Sequence, residues 1–129
     1  MQKILRYVYY WLPPFVWMAC IFYMSSQHKV NISNQVVVEF VTFKTLHMVE
    51  YALLFFLFYR AFNSVKTIKQ IPILLLTLFA SLGYSASDEF HQLFTPTRQG
   101  RMRDVVIDLV GMLIMYTIIR NVRYLKRLL

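Results

Sequence analysis

One cysteine, Cys20, is all the sequence contains, and it lies within an apolar run. No intrachain disulfide, CxxC redox pair or cysteine zinc knuckle can therefore form, and Cys20 reads as a small apolar packing residue. Charge is scarce as well: 16% of the 129 residues are charged, against 58% that are hydrophobic. A water-soluble domain of this size must cover its surface with polar groups, and four long apolar segments leave too few to do so. Also missing are a G-x-S-x-G elbow, a P-loop, an H-E-x-x-H motif, an internal repeat and a low-complexity tract. Acidic residues are the scarcest charge, 6 against 14 basic, for a formal net charge of +8. Such a balance can point to nucleic acid, but the basic residues form short clusters beside apolar segments. Membrane topology explains that pattern, and no nucleic-acid partner is expected.

What is present implies an all-α membrane protein, a four-helix bundle formed by one unit over residues 1–129. Apolar segments run over about residues 4–24, 45–62, 71–94 and 104–119. Each is long enough, or nearly so, to cross roughly 30 Å of hydrocarbon as a helix. The first follows a basic start, "MQKILR", as a signal peptide would. Its length and the absence of a small-x-small cleavage site after Met24 predict a retained helix instead. Pro13-Pro14 should kink this segment, and the proline in the first turn of the third is tolerated there. The longest connection contains "VVVEFVTF" at residues 36–43, which reads as an apolar loop resting on lipid.

Positive charges set the orientation. With the N-terminus inside, the inner side holds nine: Lys3, Arg6, Arg60, Lys66, Lys69, Arg120, Arg123, Lys126 and Arg127. The outer side holds five: Lys29, Lys44, Arg98, Arg101 and Arg103. Both termini are thus expected in the cytoplasm, with the basic C-terminal cluster anchored to anionic headgroups. In an up-down-up-down bundle the end of helix one, the start of helix two, the end of helix three and the start of helix four meet at one face. Ser25, Ser26 and Gln27, then Lys44, His47 and Glu50, then Asp88, Glu89, His91 and Gln92, then Asp104 and Asp108 lie at those places. Helical spacing sorts them into stripes: Lys44, His47 and Tyr51; Ser81, Ser85, Asp88 and Gln92; Asp104, Asp108 and Gly111. An ionisable side chain facing lipid is costly, so the stripes should face inward.

Three chemistries fit this layer. An ion-pair clasp would set the carboxylates of Glu50, Asp88, Glu89, Asp104 and Asp108 against Lys44, Arg98, Arg101 and Arg103. Buried ion pairs rarely stabilise more than apolar packing does and a clasp needs far fewer groups, so a non-catalytic membrane module whose charges clasp the helices or dock a partner stands as the alternative reading. A metal site is weaker still: "HMVE" and "DEFH" put a histidine and a carboxylate one turn apart, but neither matches the Glu-x-x-His pattern of di-iron bundles. No metal ligand is assigned and no cofactor is expected. In the third chemistry Lys44, Arg98 and Arg101 hold an anion, with Glu50, Gln92, Asp104 and Asp108 completing the binding set. His47 or His91 then passes protons beside Asp88 and Glu89, the catalytic candidates. Ser85 and Ser87 are nucleophile candidates by proximity alone.

Three stretches, "SSQ" at 25–27, "K..H..EYALL" from Lys44 to Leu54 and "DEFHQLFTPTRQGRMRDVVIDLVG" from Asp88 to Gly111, carry a resemblance to the VanZ-like family of bacterial membrane proteins. The similarity covers nearly the whole chain. Asp88-Glu89, His91-Gln92, Phe94, Pro96, Arg98, Asp104, Asp108 and Gly111 fall at the family's spacings. Thr97 departs from the usual Pro-Gly-Arg turn, and Met115 stands where a second small residue often follows Gly111, so helix packing there should be looser. The resemblance implies a multi-pass protein of the bacterial cell membrane, linked to the envelope and to glycopeptide (teicoplanin) resistance. It supplies no reaction. Membrane lipids are the expected partners, with an anionic lipid or lipid-linked cell-wall precursor as the ligand of the polar layer.

Overall fold

The computed structural model describes residues 2–27, 36–65, 69–95 and 100–129, and every regular element among them is helical. Four main helices, α1 (Gln2–Ser26), α2 (Val36–Asn63), α3 (Gln70–Gln92) and α4 (Met102–Asn121), are followed by a short α5 (Arg123–Arg127). Two stretches, Val41–Asn63 of α2 and Gln70–Gln92 of α3, are long and apolar enough to cross a membrane. At 1.5 Å per residue, each spans about 35 Å.

The expected loop at 36–43 is instead the first part of α2, a correction with a plain physical cause. A helix pairs backbone amides internally, and β-branched valines lower helix propensity only slightly, so the run continues as helix into the apolar span that begins at Val41. The hydroxyl of Thr42 follows suit, donating to the carbonyl of Val38 one turn earlier at 2.8 Å. Pro13 and Pro14 both lie inside α1, which continues through them.

Long-range hydrogen bonds fix the directions of the helices. The guanidinium of Arg6 donates to the carbonyl of Ser64, and the indole N–H of Trp17 to that of Glu50, so α1 and α2 are antiparallel. The Tyr84 hydroxyl donates to the carbonyl of Met18 at 2.6 Å, placing the later half of α3 beside the later half of α1. Lys44 meets Asp104 near the starts of α2 and α4, and Arg60 donates to the carbonyl of Leu128 beyond their far ends. Successive helices therefore alternate in direction. Helix α2 is central, packing on α1, α3 and, most extensively, α4.

The core is apolar at one end and polar at the other. Ile21, Leu54, Phe55, Phe58, Ile73, Met112 and Ile119 are buried together with Tyr51 and Tyr59. Along α3 the buried residues are Ile73, Thr77, Ser81, Ser85, Asp88, Glu89 and Gln92, an inward stripe that turns polar as the helix ascends. Its opposite face exposes Ile71, Leu75, Leu76, Phe79 and Phe90, with Phe79 83% accessible. Polar residues inside and large apolar residues outside invert the pattern of a soluble helix and match that of a helix facing lipid.

Candidate functional site

Each helix delivers polar side chains to the same end by its own local logic. On α2 the three- and four-residue spacing of Lys44, His47 and Tyr51 puts them on one face, with His47 and Tyr51 buried. On α4 the same rule buries Asp104, Asp108 and Gly111. Gly111 allows the close approach of α2 and α4: a Cβ there would sit 2.5 Å from the carbonyl oxygen of Met48. That contact lies less than one turn beyond His47 and holds the two polar stripes against each other.

Lys44 and Asp104 form an ion pair, the Asp104 carboxylate being 3% exposed and the Lys44 ammonium arm 21%. The Nε of Arg103 lies 3.7 Å from the other Asp104 oxygen, with its own side chain largely in solvent. Deeper in the layer the Ser85 hydroxyl donates to Asp108 Oδ2 at 2.6 Å, so this serine is a support for the carboxylate. Asp88 Oδ2 accepts from the Gln92 side-chain amide at 2.9 Å, one turn along α3. Glu89 Oε2 accepts the main-chain N–H of Arg101 at 2.8 Å, which ties the connection before α4 to the end of α3. Gly100 makes that tie sterically feasible, because a Cβ there would lie 2.0 Å from the carbonyl oxygen of Glu89.

The layer is dominated by acid. Asp88, Glu89, Asp104 and Asp108 are all buried, and Asp108 has no accessible surface. Among the described residues no hydrogen-bond donor reaches Asp88 Oδ1, Asp104 Oδ1 or Asp108 Oδ1. Glu50 is partly buried, its Oε2 3.9 Å from His47 Nδ1. The His47 ring stacks over Tyr51 with centroids 6.3 Å apart.

His47 and His91 occupy different surroundings. His47 shares its centre with Glu89 and Asp108: one nitrogen or oxygen from each of these three residues lies within 4.8 Å of the others. His91 turns the other way, its ring 4.6 Å from that of Phe22 on α1. Among the described residues its Nδ1 has no hydrogen-bond partner, and Asp88 one turn before it is engaged with Gln92 instead. Arg101 and Arg103 stand exposed at the rim, while Arg98 lies outside the described residues. Ser25 and Ser26 bond back to the carbonyl of Phe22 and finish α1.

Sequence spacing did not reveal two parts of this arrangement. Gly100 gave no signal beyond being a glycine next to a helix start. The expected topology brought His47, Glu89 and Asp108 into one layer, but not to within 4.8 Å of one another, because each comes from a different helix.

The far end of the bundle is built from other chemistry. Arg60 lies over the rings of Tyr9 and Tyr10 at 4.4 and 4.8 Å, and Tyr59, Gln70 and Asn63 form a neutral hydrogen-bonded chain. Buried carboxylates mark one end, where Lys44, Arg101 and Arg103 also lie, and Arg60 with its tyrosines marks the other.

No curated protein and no solved structure matches the chain. A family model described as VanZ/LLP1 matches residues 5–124, and with its apolar helices and buried polar stripes the chain is a membrane protein that belongs to this family.

Proposed function

We propose that the protein crosses the bacterial cell membrane four times, with both termini in the cytoplasm. In this reading the polar layer opens at the outer face, where it binds or modifies the anionic headgroup of a lipid or lipid-linked cell-wall precursor. A link to glycopeptide (teicoplanin) resistance follows from the family. One observation carries the reading: buried His47, Asp88, Glu89, Asp104 and Asp108 and the partly buried Lys44, from three helices, share one layer at one end of a bundle with apolar flanks. Ionisable groups in such a setting are retained for function by default.

Lys44, Arg98 and Arg101 are the anion-holding groups, and the exposed rim position of Arg101 suits first contact with a headgroup. Asp88, Glu89 and Asp108 position the groups around them, and His47 or His91 handles protons. The Lys44–Asp104 pair favours a second reading, a structural clasp. That pair neutralises one buried carboxylate and leaves Asp88, Glu89 and Asp108 unexplained.

Lipid mass spectrometry tests the proposal, comparing cells without the protein, with the wild type and with Asp108→Asn at equal membrane abundance. A headgroup class that changes with the wild type and reverts with Asp108→Asn is expected. Identical lipid and precursor profiles in all three, with no headgroup class co-purifying with the detergent-extracted wild type over Asp108→Asn, would remove the headgroup reading and leave the clasp.

A further inference from the structure

The geometry points to a transition-metal dication site, of the Zn²⁺ or Mn²⁺ class, formed by His47 of α2, Glu89 of α3 and Asp108 of α4. It holds whether or not a lipid headgroup is the final ligand.

Position is the first argument. The three residues come from three helices, are 9%, 5% and 0% exposed, and each offers one ligand atom within 4.8 Å of the others. Neighbouring ligands of a tetrahedral ion at about 2.1 Å stand roughly 3.4 Å apart, so side-chain rotation of about an ångström closes the set.

Charge is the second. Lys44 neutralises Asp104, yet Asp88, Glu89 and Asp108 are buried beside that pair. Asp108 lies within electrostatic reach of Glu89, Asp104 and Lys44, and Glu89 within reach of Asp88 as well. The Arg103 guanidinium also lies 3.7 Å from Asp104, at the exposed edge of the layer. Several carboxylates in a dehydrated layer repel one another, and a dication at their centre offsets that repulsion directly.

Unmet bonding capacity is the third argument and is independent of the count of charges. Asp108 Oδ2 is taken by Ser85, while Oδ1, with no accessible surface, has no hydrogen-bond donor among the described residues. A buried carboxylate oxygen without a donor is costly, and a metal–oxygen bond satisfies it.

The surroundings fit as well. Metal ligands are oriented by groups behind them: here the Ser85 hydroxyl holds Asp108, the Arg101 amide holds Glu89, and Glu50 lies beside the His47 ring. One imidazole with two carboxylates and no thiolate suits Zn²⁺ or Mn²⁺ better than Ca²⁺, which prefers an all-oxygen shell. Three protein ligands leave coordination positions for water or a phosphate oxygen.

The test uses the full chain purified in detergent, stripped with chelator, and titrated with ZnCl₂ or MnCl₂ alone. Elemental analysis should find about one ion per chain, and the unfolding midpoint should rise and saturate with metal. Asp108→Asn and His47→Gln, which preserve shape, should each weaken binding at least tenfold. Wild-type protein that takes up neither ion and gains no stability overturns the site, since protons then neutralise the layer. Undiminished binding in folded Asp108→Asn and His47→Gln overturns it too. If those variants do not fold, X-ray absorption of the zinc-loaded wild type decides: a mixed nitrogen and oxygen shell is expected, and an all-oxygen shell overturns the assignment.

Discussion

At the scale of single residues, the Lys44–Asp104 pair shows how a buried charge differs from a useful one. Removing Lys44 leaves Asp104, 2% exposed, with the largely solvent-exposed Arg103 guanidinium 3.7 Å away in place of its close partner. Lys44→Met should therefore cost about 3–5 kcal/mol, read as a lowered unfolding midpoint in detergent. Replacing both members, Lys44→Met with Asp104→Leu, removes the stranded charge and should recover most of that loss. The double variant also separates the two functional readings. Recovered stability with an intact lipid profile means the pair is a clasp, whereas recovered stability with a lost lipid effect places Lys44 in the binding of the headgroup. No recovery at all would mean that the pair's surroundings require the charges themselves.

At the scale of elements, the contact between α2 and α4 sets the spacing of the polar layer, because Lys44 meets Asp104 and His47 meets Asp108 across it. Gly111→Val puts side-chain carbon where the Met48 carbonyl already stands, so the helices must separate. The variant should lose folded yield, and any metal or headgroup binding should fall with it. Gly83 serves as the comparison: nothing lies within 4 Å of its missing Cβ, so Gly83→Ala should be tolerated or slightly stabilising, as alanine in a helix interior generally is. Equal effects of the two substitutions, measured as unfolding midpoints, would contradict the packing argument. The inward stripes of α3 and α4 were legible in the sequence, since a 3.6-residue period assigns Ser81, Ser85, Asp88 and Gln92, or Asp104, Asp108 and Gly111, to one face. The start of α2 was not legible, because a run of β-branched valines interrupted by Glu39 shows no helical period, even when placed on lipid. Spacing also put His91 one turn from Asp88 without revealing that its ring turns toward Phe22, since side-chain direction depends on the neighbouring helix. The meeting of His47, Glu89 and Asp108 depends on three helices at once, and no local pattern encodes that.

At the scale of the whole molecule, the two ends of the bundle make an electrical argument about orientation. His47 and Arg60 lie about 20 Å apart along α2, so the acidic layer and the arginine-rich end cannot share one interface with water. Arg6, Arg60 and Arg120 mark one end, and Asp88, Glu89, Asp104 and Asp108 mark the other. Lys and Arg near the ends of spans favour the cytoplasmic side, so the proposed orientation would put the acidic layer outside. His47 and His91 would then face the compartment in which cell-wall precursors are displayed, and a dication could enter without crossing the membrane. The connection between α3 and α4 is the place to test this. In a Cys20→Ser background, Thr97→Cys should react in intact cells with a membrane-impermeant maleimide, while a cysteine replacing Thr67, between α2 and α3, should react only after permeabilisation. The reverse labelling pattern would put the acidic layer in the cytoplasm, and with it the source of any headgroup or metal that the site takes.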